Sequence, residues 1–130
     1  MKREIEDYIR DIVDSIAKAM EFVKDMSYDE FVKDYKTNFA VIRALEIIGE
    51  AVKNVPKEFR ERYPQIPWKD MAGMRDKLVH EYHGVKLNIV WETIKEEIPP
   101  LKPLFENILN EMEEKIKKSE KGINFEIRKS

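Results

Sequence analysis

Arg75, Asp76, His80, Tyr82 and His83 fall within one short run of the chain. Their types suit chemistry at a phosphate ester. A guanidinium presents a planar fork that can hold two non-bridging phosphate oxygens. An imidazole, with an ordinary pKa of about 6.5, can take or give a proton near neutral pH. Asp76 and His80 are four residues apart, so on a helix their side chains can touch, and the carboxylate can orient the ring. His83 is a secondary candidate for the same work.

Helical geometry sharpens the question. Each helical residue turns the chain by about 100°. Trp68, Met71, Arg75, Leu78 and Tyr82 then share one seam, at spacings of three and four. Arg75 holds a seam position where an aliphatic side chain would pack best, and an unpaired guanidinium there is costly. It needs a carboxylate, a wet cleft or a phosphate. The structural explanation is an ion pair, with Glu46 as the nearest candidate, because Glu46 interrupts an otherwise apolar face beside Phe39, Ile42 and Gly49. A His near a helix end also serves as a simple dipole contact. Both explanations stay open on geometry alone. Arg75 and His80 diverge by roughly 140° on a straight helix. The helix must therefore distort, or a second copy of the chain must complete the site across a two-fold axis.

The elements that position this run read as helices. A first stripe, Ile5, Ile9, Ile12, Val13, Ile16, Met20 and Val23, predicts a helix over about 2–25. Ser27-Tyr28-Asp29-Glu30 reads as a capping box. A second long helix is expected from about Phe31 or Lys36 to Asn54, stopped by Pro56, and apolar enough to lie centrally. A short segment follows at 57–63. The third helix should run from Trp68 to near Gly84, and the fourth from about Val85 to Glu97, broken by Pro99-Pro100. The fifth should span Leu101 to Ser119. The expected fold is all-α, an up-and-down bundle of four to five main helices. It forms one domain over 1–121, with a short tail at 122–130 that frays or adds an edge strand.

Composition narrows the function. With 130 residues the chain suits one domain. It has no Cys, which excludes disulfides, thiolate metal sites and a Cys nucleophile. No apolar run approaches the ~18 residues of a membrane span, and the charged N-terminus is unlike a signal peptide, so a cytoplasmic location is expected. Net charge is −2, which excludes a general basic coat for nucleic acid and confines any RNA contact to a focused site.

The run Met74-Arg75-Asp76-Lys77-Leu78-Val79-His80-Glu81-Tyr82 matches the Arg-x4-His-x-Tyr motif and resembles the HepT-like toxins of the HEPN superfamily. The segments Arg43 to Ala51, Trp68 to Met74, Val90-Trp91 and Ile98 to Leu101 are similar to what surrounds that motif in the family. The resemblance spans about Phe39 to Leu104. It implies a HEPN-like bundle and a homodimer. It also implies metal-independent endoribonuclease activity without a cofactor, in which the RNA 2′-hydroxyl attacks the adjacent phosphate. Arg75 and His80 are then catalytic, while Asp76, Glu46 and His83 support them. His80-x-x-His83 with Asp76 and Glu81 nearby is a weak zinc pattern and competes with that metal-free chemistry.

The resemblance further implies a toxin of a type II-like toxin–antitoxin system, paired with a minimal nucleotidyltransferase antitoxin. That partner would transfer AMP to Tyr82, adding charge and bulk beside Arg75. The same likeness leaves room for a non-catalytic reading, a helical binding or regulatory subunit of a nucleotidyltransferase. A plain helical dimerisation module is the third.

Overall fold

The computed structural model describes residues 3–79 and 86–129, and the side chains of all of these except positions 75, 77, 79 and 121–129. The regular structure described is helical throughout, without a strand. The elements are α1 (Ile5–Phe22), α2 (Tyr28–Lys33), α3 (Tyr35–Lys53), α4 (Lys57–Glu61), α5 (Trp68–Val79), α6 (Leu87–Glu92), a π-helical turn (Thr93–Glu97) and α7 (Leu101–Lys129). The all-α bundle expected from periodicity is therefore what forms.

The stripe on α1 does what its spacing predicts. Ile9, Ile12, Ile16 and Ala19 are fully buried. They pack on α3, which is the central element and also touches α2, α5 and α6. Val41, Leu45, Ile48 and Val52 of α3 are inaccessible to solvent, as expected of a helix that is apolar over most of its surface. The α1 helix ends earlier than its stripe suggested, because Asp25 adopts φ 60, a left-handed conformation that short polar side chains tolerate. Lys95, from the π-helical turn, donates to the Val23 carbonyl at 3.1 Å and satisfies that helix end.

The capping box forms as read. Ser27 Oγ accepts from the Glu30 N–H at 3.2 Å, and Glu30 Oε1 accepts from the Ser27 N–H at 3.1 Å. It opens the separate helix α2 rather than the long one. Asp34 then interrupts the chain and caps α3 anew, with Oδ1 accepting from the Thr37 N–H at 3.0 Å and Oδ2 from the Thr37 hydroxyl at 2.7 Å. Buried Asn38 ties the two helices together by donating to the Phe31 carbonyl at 3.2 Å.

Two further expectations change. The fourth helix is not α-helical to its end. Its last turn widens, with the Ile98 N–H reaching the Thr93 carbonyl five residues back at 2.9 Å, just before Pro99-Pro100. The α7 helix runs on to Lys129, so the weak alternation over 122–129 becomes helix and not a strand. Its first turns are sealed into the bundle through Leu101, Phe105 and Ile108. No helix among the described residues is long and apolar enough to cross a membrane.

Candidate functional site

The site is built on α5 and its packing against α3. Trp68 opens α5 and fixes its start. Its indole N–H donates to the Tyr63 carbonyl at 3.0 Å, and its ring meets Phe105 of α7 edge-on at 5.5 Å. Trp68, Met71 and Leu78 are buried, so the predicted seam is the inward face of α5. By the same spacing, the backbone of Arg75 stands on that seam, between Met71 and Leu78. Its side chain lies outside the described ones. His80, Tyr82 and His83 also lie outside the described residues, as does the predicted helix end at Gly84.

Asp76, the next residue along, has a described partner that spacing did not suggest. Lys53 Nζ, on the last residue of α3, lies 3.1 Å from Asp76 Oδ1. Both side chains are partly open to solvent, at 37% and 52%. Lys53 is the functional candidate that sequence reasoning missed. Nothing in the sequence marks it, because the two charges stand 23 residues apart and meet only through the packing of α3 on α5.

Glu46 also finds a different described partner. Its Oε2 lies 3.3 Å from Arg43 Nη1, one turn back on α3. The pairing expected with Arg75 falls on a side chain outside the described ones.

On another side of α5 lies a cleft of about 700 Å³. Met71, Met74, Ile98 and Leu101 supply apolar walls, and Gly73 leaves its side open, since a Cβ there would meet nothing within 4 Å. Asp70, Glu96 and Glu97 stand around it with Lys69. Three carboxylates against one ammonium make a poor berth for a phosphate chain. No group of carboxylates and histidines among the described residues has the spacing to hold a metal ion.

An all-helical bundle of the HEPN kind, carrying an Arg-x4-His-x-Tyr run that begins on an inward-facing helix, defines the class. The chain belongs to the HepT-like ribonucleases: the family model described as "Ribonuclease HepT-like" matches residues 12–108. A protein of Thermococcus cleftensis named "Probable ribonuclease HepT" is 52% identical over 108 residues, covering 83% of this chain and 98% of that one. A protein of Methanocaldococcus jannaschii, named as a putative RNase, is also 52% identical, over 88% of this chain and 98% of its own. A relative from Caldanaerobacter subterraneus with the same kind of name is 53% identical over 78% of this chain and 91% of its own. No solved structure matches.

Proposed function

We propose that this protein is a metal-independent endoribonuclease acting as the toxin of a toxin–antitoxin pair. The observation that carries the reading is the complete Arg75…His80…Tyr82 run within a chain of the HepT-like ribonuclease family. In the proposed reaction His80 takes the proton of an RNA 2′-hydroxyl. The freed oxygen bonds to the neighbouring phosphorus, and the bond from phosphorus to the 5′-oxygen breaks. The products are a 2′,3′-cyclic phosphate and a 5′-oxygen that leaves with a proton. Arg75 holds the non-bridging oxygens, whose charge grows in the transition state. Asp76 and Glu46 are assigned support, and His83 a secondary place. The site is completed across a homodimer. A minimal nucleotidyltransferase silences it by AMP transfer to Tyr82: the phenol oxygen bonds to the α-phosphorus of ATP and pyrophosphate leaves. The reaction takes place in the cytoplasm, on RNA.

The test is cleavage of total RNA by purified dimer in chelator, with end-group analysis. Wild type should leave 2′,3′-cyclic ends, and Arg75→Ala and His80→Ala should each lose at least a hundredfold in rate while keeping the helical fold. An inactive, unmodified wild-type dimer would sink the reading.

One observation favours a second reading, a helical regulatory subunit of a nucleotidyltransferase. The chain is net acidic and its α5 cleft is rimmed by Asp70, Glu96 and Glu97, features that suit a protein partner better than RNA. In that case the motif substitutions change assembly, and there is no cleavage to lose.

A further inference from the structure

Charge is unevenly placed along this chain. The last sixteen residues, from Lys115 on, hold six of the 24 Lys and Arg but only two of the 26 Asp and Glu. The end of α7 is thus a basic segment on an otherwise acidic protein. It opens with Lys115-Ile116-Lys117-Lys118, all four exposed, and Ile116 stands 42% open to solvent, outside the core and the side chains packed on it. The three lysines form no ion pair among the described residues, and Glu113, one turn before Lys117, is taken by Arg10 at 3.2 Å.

The cleft beside α5 has the opposite character. Met71, Met74, Ile98 and Leu101 form an apolar floor. Asp70, Glu96 and Glu97 are exposed around it and form no ion pair among the described residues. An apolar floor gains by being covered, and carboxylates around it select a cationic cover. An isoleucine flanked by lysines has that chemistry.

One copy cannot make this contact by itself. Leu101, in the cleft, opens α7, and Ile116 lies fifteen residues along the same helix, about 22 Å away at ~1.5 Å per residue. A second copy can make it. Two α7 helices set antiparallel about a two-fold axis bring each basic end to the other's cleft, and the contact is made twice. We propose that the cleft beside α5 receives the Lys115–Lys118 turn of α7 from a second copy of this chain. The contact does not rest on the ribonuclease reading, and it is additional to the homodimer that would complete the catalytic site.

The experiment is sedimentation of the full chain against protein concentration, at low and high salt. The variants are Glu96→Lys/Glu97→Lys, Lys117→Glu/Lys118→Glu and the variant carrying all four changes. Glu58→Lys/Glu61→Lys, the same charge change on exposed positions of α4, is the control. All these positions are exposed, so the helical fold should survive, which circular dichroism checks. Wild type should self-associate through a step that weakens at least tenfold as salt rises from about 0.05 to 0.5 M. Each reversed pair should weaken that step at least tenfold at low salt, and the control should leave it within about twofold. The variant with all four changes should return it to within about threefold of wild type, because opposite charges then meet again. Wild type without a salt-dependent step overturns the proposal. A four-change variant no better than either pair overturns it, since the rim and the α7 end then do not meet. A control as weak as the rim variant also overturns it, because net charge alone then acts. Lys117→Glu/Lys118→Glu that associates normally but binds an RNA oligonucleotide more weakly assigns the α7 end to RNA and overturns the proposal too. A homodimer held by another face does not mask the result, since its step does not respond to these charges.

Discussion

Single residues decide where this chain turns and where it carries charge. Asp34 shows how much one side chain can do. It separates α2 from α3, and it caps α3 through two bonds from Thr37. The hydroxyl and then the backbone N–H of Thr37 hold the Asp34 carboxyl below the usual carboxylate range. A depressed folded pKa means that the ionised form is favoured by folding. Its contribution is therefore present above the unfolded value of about 3.9 and is lost as pH falls through the folded value. Asp34→Ala should lower the urea midpoint at about pH 7, and the gap from wild type should narrow at about pH 3. Urea titrations of both proteins at the two pH values check this, and a gap of equal size at both would show that the cap does not depend on ionisation. Residue-scale reading of the sequence worked where the signal is local, as with the Ser27 and Glu30 box. It worked less well at Asp34, whose spacing to Thr37 is a cap signal overshadowed by the apolar run around it. It singled out Asp76 but could not pair it with Lys53, since an ion pair between partly exposed side chains on two helices has no sequence pattern.

At the scale of elements, α5 is the one whose sequence pulls in two directions. Its inward seam is well filled by Trp68, Met71 and Leu78, yet Gly73 sits in the middle of the helix and serves no packing need, because a Cβ there would meet open space. Glycine in a helix interior costs about 0.5–1 kcal/mol relative to alanine. Gly73→Ala should accordingly stabilise the protein by about 0.5–1 kcal/mol, measured by denaturant unfolding. Cleavage measured on the same variant separates two uses of the cleft. Unchanged turnover means that the open side of α5 is not occupied during the reaction, and reduced turnover in a more stable protein means that it is. The π-helical turn is the other element-level surprise. Periodicity predicts an α-helix up to Glu97, and the wider turn arises where Pro99 and Pro100 prevent the helix from continuing. The register change also presents Glu96 and Glu97 to the cleft while Ile94 and Ile98 stay buried. The sequence shows where this helix stops but not how its last turn is wound, because an extra residue in one turn leaves the apolar spacing almost unchanged.

At the scale of the whole molecule, and among the described residues, the first half of α3 turns large apolar side chains to solvent. Tyr35 and Phe39, one turn apart on α3, are 72% and 70% exposed, in a bundle whose other large side chains are mostly enclosed. Ile42 and Glu46 continue the same face along the helix, and it runs towards Lys53, where α3 meets the Arg75 end of α5. A second copy packed on this face by a two-fold axis would cover both rings and draw the two Arg75 positions towards a common cleft. It is one of the two routes open to Arg75 and His80, which diverge on a single straight helix; the other is a distorted helix. Phe39→Asp tests the argument without threatening the monomer, because the side chain is largely in water already. The substitution should convert the proposed dimer to monomer by analytical ultracentrifugation and reduce cleavage at least tenfold, with the unfolding midpoint of the monomer unchanged. A dimer that survives Phe39→Asp places the interface elsewhere. A monomer that still cleaves at the wild-type rate means one chain holds the whole site, and the α5 helix must then bend between Arg75 and His80.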